Sequence, residues 1–308
     1  MNTEIKKKLD DLRQDNSSGA SELINKSLHI IRSSLENVSE DGKDITEDIM
    51  ELATQIIQSR PSMAPLINTI GFLIGNQTFI TKKEISERLS QFSDYRKEQM
   101  ESLRRHFSSL FDKLYTKDLG IMLISHSSTI NTLFLEEKNR DIRFYVLESR
   151  PLLEGRNTAE FFSNDFKTNL IVDSAMGKFM KKIDIVLVGI DSILHDGSIV
   201  NKIGTYPLAV LAFEHNKRVY AVGDSFKYNL RSHFGQKIKI EKKSYKEIYK
   251  MKESRNKNDN LQIHNYYFDI TPPNYITGIV SDIGIHSPSN FLKEIKKHID
   301  LQWFTRFI

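Results

Sequence analysis

A change of period near residue 116 constrains this chain more than any other feature. Upstream of it, apolar residues recur three and four apart in "EIKKKLDDLRQ", "GASELINKSLHIIRSSLENV" and "DITEDIMELATQIIQSR". That spacing places one apolar stripe on an α-helix. Pro61 stops the third segment, "SMAPLINTIGFLIGN" resumes helical period, and residues 81–115 read as a long charged helix with an apolar stripe. No strand pattern precedes residue 120. Beyond it come short apolar runs: "GIMLIS", "IRFYVLES", "TNLIVDSA", "KIDIVLVGID", "RVYAVGD", "YYFDIT" and "ITGIVSD". Helical patterns separate several of them, including "STINTLFLEEKNR", "RNTAEFFSNDFK" and "TYPLAVLAFEHNK". Apolar strands alternating with helices predict a parallel sheet covered on both faces. The chain therefore reads as an N-terminal helical domain over 1–115 and a doubly wound α/β domain over 116–308. "HDGS" reads as a turn, residues 241–260 as a mobile insertion, and the terminal "LQWFTRFI" as a segment that docks on the body or on a partner.

Composition excludes several functions. With no cysteine among 308 residues, disulfides, thiolate zinc sites and cysteine nucleophiles are ruled out. Lys and Arg number 44 against 40 acids, a net charge of +4 that is too small to argue for nucleic acid. His264 and His286 lack partners at metal-ligand spacing, so neither a metal nor another cofactor is expected. No apolar run has the length of a membrane span. The N-terminal "MNTEIKKKLDDL" reads as an amphipathic helix rather than a signal peptide, and the expected location is the cytoplasm.

Ligands of an open parallel sheet sit beyond the carboxyl ends of its strands. His126, Ser127, Ser128 and Thr129 follow "GIMLIS". Arg150, Pro151, Glu154, Gly155 and Arg156 follow "FYVLES". Asp191 follows "IVLVGI", with Asn201 and Lys202 beyond it, and Ser225 and Lys227 follow "VYAVGD". Hydroxyls, amides and cations gathered at four strand ends suit a phosphorylated small molecule. Each group also has a plainer reading: "SHSST" as a helix cap, the arginines as surface ion pairs, Asp191 as a strand-end residue bonded to backbone. No glycine-rich phosphate loop is present.

At these residues the chain resembles the family of the α, β and δ subunits of translation initiation factor 2B, which also contains methylthioribose-1-phosphate isomerase and archaeal ribose-1,5-bisphosphate isomerase. The resemblance is carried by "LISHSSTI", "FYVLESRPLLEGRNTA", "IDIVLVGIDSILHDGSIVNKIGTYPLAVLA" and "FDITPPNYITGIVSDIG", and upstream by "DNSSGAS" and "SRPSMAPLINTI". It implies a helical bundle followed by a Rossmann-like domain through which subunits pair as a homodimer or higher homo-oligomer. The family's enzymes isomerise an aldose phosphate to a ketose with a cysteine and an aspartate. The aspartate matches Asp191, and the cysteine position is Ser127. The bisphosphate isomerases' binding pattern maps onto Arg60, Asn201, Lys202 and Lys227. Ser128, Arg150 and Arg156 join these as expected phosphate contacts.

A thiol titrates near neutrality, whereas a serine hydroxyl needs a partner base. The resemblance thus implies a regulatory, non-catalytic protein with a retained pocket for a phosphosugar or an AMP-like nucleotide. The α subunit of translation initiation factor 2 is an expected partner. The alternative is an active isomerase that relies on Asp191.

Overall fold

The structure, a computed structural model, describes residues 3–15, 20–39, 41–59, 63–114, 117–249 and 260–307. Five helices come first: α1 (Thr3–Gln14), α2 (Ala20–Glu36), α3 (Thr46–Ser59), α4 (Ala64–Ile74) and α5 (Lys82–Leu114). Their boundaries follow local chemistry. Pro65 opens α4, where a missing N–H costs nothing, and Gly75, at φ 52°, closes it. A reciprocal capping box starts α5: Glu84 Oε2 accepts from the Thr81 amide at 2.8 Å, and Thr81 Oγ1 accepts from the Glu84 amide at 3.3 Å. Helix α4 is buried at every position except Phe72, because α2, α3, α5 and the C-terminal segment all pack around it.

The strands and remaining helices follow: β1 (Leu119–Leu123), α6 (Ser128–Phe134), β2 (Ile142–Leu147), α7 (Gly155–Ser163), β3 (Lys167–Ile171), α8 (Met176–Phe179), β4 (Ile185–Gly189), β5 (Ser192–Ile193), β6 (Ile199–Lys202), α9 (Thr205–Glu214), β7 (Arg218–Val222), α10 (Leu230–His233), β8 (Phe268–Thr271), β9 (Gly278–Ser281), β10 (Gly284–His286) and α11 (Pro288–Ile295). Seven strands form one sheet in the order β10-β9-β7-β4-β1-β2-β3. All its pairings are parallel except the β9–β10 hairpin at one edge. Alternation explains the continuous apolar runs. Ile121, Leu123, Ile185 and Leu187 face the core under α5, and Met122, Val186 and Val188 face the opposite one. Helix α5 serves both units. Ile85, Leu89 and Phe92 pack in the helical bundle, while Leu103, Phe107, Leu110 and Phe111 pack under the sheet.

The α/β architecture and the "HDGS" turn match the sequence expectation, and one strand differs in its placement. "YYFDIT" does not join the main sheet. Its strand β8 pairs antiparallel with β6 in a small three-stranded sheet, β5-β6-β8. The polar "HDGS" is the turn of a hairpin, since β5 and β6 flank it. Both strands are too short to show a period. Within residues 241–249, Lys243 N donates to Asn265 O at 2.8 Å, and Asn265 Nδ2 donates to Glu247 at 2.7 Å. Residues 250–259 of that stretch lie outside the described residues. The C-terminal segment docks on the body, with Trp303 and Phe304 buried.

Candidate functional site

The chain lays down β1, β2 and β3 in one direction, then returns to set β4 on the other side of β1. The connections after β1 and β4 consequently leave on opposite faces, and a crevice opens between their carboxyl ends. A cleft of about 590 Å³ lies there, within the range of small-molecule sites. Its wall includes Ser127 and Ser128 after β1, Asp191 after β4, Asn201 and Lys202 on β6, and Lys227 after β7. An adjoining recess of about 180 Å³ shares Asp191, Pro65, Tyr267 and Phe268 with it and adds Leu23, Met63, Ile238 and Ile240.

Ser127 and Asn201 approach each other over Gly189. A Cβ on that glycine would stand 3.3 Å from Ser127 Oγ and 3.6 Å from Asn201 Oδ1. A side chain at Gly189 would therefore crowd the cleft floor. Ser127 caps α6, its Oγ accepting from the Ile130 amide at 3.3 Å. His126 Nδ1 lies 3.1 Å from Thr158 Oγ1, so the neighbouring imidazole is engaged elsewhere. Asp191 is pinned by its own amide, which donates to Val200 O at 2.9 Å. Burial pushes its carboxyl above the usual range, against the pull of Lys227 and Lys202, and Glu154 adds to the rise. Asn201 donates to Thr205 Oγ1 at 3.1 Å, and Thr205 donates to Lys202 O at 2.6 Å. The β6 edge is thereby tied to the start of α9.

Lys202 is buried and pairs with Glu154. Lys227 is half-buried, lines the cleft and forms no ion pair with the described residues. It sits on the turn Ser225–Lys227, held from the helical unit by Asn68 Nδ2, which donates to Phe226 O at 2.7 Å and Tyr228 O at 2.8 Å. Arg96 reaches in from α5 and bonds Asp224 Oδ2 at 3.0 Å. Burial works to raise the Asp224 carboxyl, but Arg96 and Lys227 outweigh it, and the group lies below its ordinary value.

The structure brings Ser127, Ser128, Asp191, Asn201, Lys202 and Lys227 together. Arg150 and Arg156 do not join them. Both are exposed; Arg156 pairs with Glu148 at 2.9 Å, and the Arg150 amide bonds Asp173. The loop after β2 turns back on itself, with Ser149 at φ 65° and Leu153 at φ 63°, so Glu154 faces the cleft instead. Arg60 lies outside the described residues, as do Asn16 to Gly19 of "DNSSGAS". Sequence reasoning also missed Arg96, Asp224 and Tyr267. Arg96 is one of many charges on a long helix, and nothing in its local pattern sets it apart.

A helical unit set against the switch point of a parallel sheet, with carboxylates, lysines and hydroxyls converging there, defines a Rossmann-like α/β protein with a polar cleft. The chain belongs to the Initiation factor 2 subunit family, whose sequence profile matches residues 16–288. It is 31% identical over 289 residues to a translation initiation factor eIF-2B subunit 2-like protein of Pyrococcus horikoshii, covering 91% of this chain and 95% of that one. It is also 28% identical over 264 residues to the ribose 1,5-bisphosphate isomerase of Methanocaldococcus jannaschii, covering 83% and 82%. Among solved structures, a translation initiation factor eIF-2B of Pyrococcus horikoshii superposes with a TM-score of 0.78 at 25% identity, over 95% of this chain and 100% of that one. The relatives thus include both initiation-factor-like proteins and isomerases.

Proposed function

We propose that the chain is an initiation factor 2B-like regulatory protein that binds a phosphosugar or AMP-like nucleotide in the switch-point cleft and does not turn it over. The observation that carries this reading is the state of Ser127. Its hydroxyl caps α6 and makes no hydrogen bond to a basic group among the described residues. Isomerising a sugar 1-phosphate such as ribose 1,5-bisphosphate breaks the bond from C1 to the ring oxygen and moves a hydrogen from C2 to C1, while the C2 hydroxyl becomes the ketone and its proton passes to the released ring oxygen. The reaction needs groups that exchange protons near neutrality. A capping serine does not supply one. The binding half of the reading is supported by Lys227, Asn201 and the Ser127–Ser128 hydroxyls, which line one cleft. A homodimer or larger homo-oligomer, a cytoplasmic location and contact with the α subunit of translation initiation factor 2 belong to the same proposal.

One observation favours the isomerase alternative. Burial holds the Asp191 carboxyl above its usual range, which moves it toward the range useful for acid–base work. Incubation with ribose 1,5-bisphosphate and other aldose phosphates, with and without AMP, separates the two. The expected result is binding without ketose. Ketose that forms with the wild type and disappears in Asp191→Asn would overturn the regulatory reading. In the same assay Lys227→Met is expected to weaken ribose 5-phosphate binding by about tenfold to a hundredfold, the worth of one charge-assisted contact. An unchanged affinity would remove Lys227 from the phosphate. Failure of immobilised protein to retain the initiation factor α subunit at physiological salt would refute the partner.

A further inference from the structure

Glu154 is the cleft carboxylate to which the reading above gives no role. Its Oε1 accepts from Ser125 Oγ at 2.9 Å and from Lys202 Nζ. Its Oε2 is buried without a hydrogen-bond partner among the described residues. The backbone on both sides is held in an uncommon conformation: Ser125 is at φ 72° and Leu153 at φ 63°. Non-glycine residues in the left-handed region cost energy and persist where the surroundings impose them. Lys202 is equally fixed. It is 4% exposed, and its Nζ lies 5.1 Å from the centroid of the Tyr267 ring. Glu247 in turn holds the Tyr267 hydroxyl at 2.5 Å. Lys202 is therefore neutralised by a half-buried partner rather than waiting for a ligand.

The other charges of the wall divide the same way. Arg96 is matched by Asp224. Lys227 is left facing the cleft with no ion pair to the described residues. A ligand thus meets on one side Lys227, which has no ion pair to the described residues although the Asp191 and Asp224 carboxylates lie within its field, and on the other a carboxylate whose second oxygen lacks a donor among them. A phosphate brought to the Glu154–Lys202 side meets a carboxylate of its own sign. A sugar hydroxyl there would donate to Oε2 and satisfy it.

We propose that Glu154 is a specificity-determining residue: it cancels Lys202, so the cleft prefers phosphosugars with one phosphate, anchored at Lys227, over bisphosphates. This rests on the phosphosugar reading and narrows it. It also reassigns Lys202, which becomes a structural counter-ion rather than a phosphate ligand.

Calorimetric titration of the full chain with ribose 5-phosphate and ribose 1,5-bisphosphate at one ionic strength tests it. The wild type is expected to bind the monophosphate at least as tightly as the bisphosphate. Glu154→Gln frees the Lys202 charge and is expected to shift the ratio toward the bisphosphate by about tenfold, the effect of removing one like charge a few ångströms away at intermediate dielectric. A second variant guards against misfolding of the first. Glu154→Gln combined with Lys202→Met replaces a partly buried ion pair by neutral groups of similar size, which folds tolerate. It preserves the net charge of the wall and is expected to keep the wild-type preference. The inference fails, with the phosphosugar reading intact, if the wild type prefers the bisphosphate or if Glu154→Gln leaves the ratio unchanged. It fails in the same way if the double variant selectively loses the bisphosphate. Binding of neither sugar phosphate by the wild type would overturn the phosphosugar reading itself.

Discussion

Replacing Trp303 with alanine is expected to destabilise the chain by about 3–5 kcal/mol, the usual cost of deleting a large buried aromatic. Trp303 is 2% exposed and packs with Phe304 and Phe307, at ring-centroid distances of 5.5 Å to each. Its ring lies flat against α4. A Cβ placed on Gly71 would stand 2.2 Å from the indole. Glycine in a helix interior ordinarily costs about 1 kcal/mol relative to alanine, so its presence here is explained by the close approach of the ring. The segment is also tied by polar bonds: Arg306 donates to Asn76 O at 2.7 Å and Gln77 O at 2.8 Å, and Asn76 donates to Asp300 at 2.6 Å. Alanine would leave a cavity that rigid helices on several sides cannot close. Denaturant unfolding followed by circular dichroism checks this, and a loss below about 1 kcal/mol would show that the C-terminal segment is dispensable to the bundle. Gly71→Ala should be harmful for the converse reason, since its methyl has no space.

The division into helices and a parallel sheet was legible because each half keeps one period over many residues. Leu103, Phe107, Leu110 and Phe111 repeat at helical spacing, and β1 and β4 are continuous apolar runs because the sheet is covered on both faces. The small sheet was not legible. Strands β5 and β6 are two and four residues long, below the length at which alternation can be recognised. The pairing of β6 with β8 bridges 72 positions at the contact Ile199–Thr271. That contact depends on the tertiary fold, and no local propensity signals it.

The site was legible where strand ends alone determine it. Asp191, Ser127 and Lys227 follow three strands that the switch point brings side by side. The same rule misplaced Arg150 and Arg156, because a residue beyond a strand end can point either way. Here the left-handed turn at Ser149 and Leu153 directs Glu154 inward and the arginines to solvent. Arg96 comes from the middle of α5, 128 positions before Asp224, and only the packing of the helical unit on the sheet brings the two together.

That contact supports the second large effect. Arg96→Met is expected to cost about 3 kcal/mol at neutral pH, because it strands a buried carboxylate. Asp224 is 7% exposed and has its second partner in the Phe226 amide at 3.1 Å. Asp282 stands nearby. Burial first, then the charge of Asp224, raises its carboxyl. Arg96 also donates to Gln99 Oε1 at 2.7 Å, and Gln99 Nε2 reaches Ser225 Oγ at 2.9 Å and Asp282 at 3.0 Å, so the substitution loosens a network joining both units. The pH dependence carries a definite sign. In the wild type the folded Asp224 value is depressed below the unfolded value of about 3.9. Its contribution is therefore present above that pH and is lost as acid protonates the folded carboxyl. Without Arg96, burial governs and the folded value rises above the unfolded one. The folded variant then binds more protons than its unfolded chain, and its stability increases as pH falls from 7 toward 4. The gap between wild type and variant should be widest near pH 7 and narrow by pH 5. Urea midpoints at the two pH values measure it. A gap that stays constant or widens in acid would mean that Arg96 does not hold the Asp224 charge.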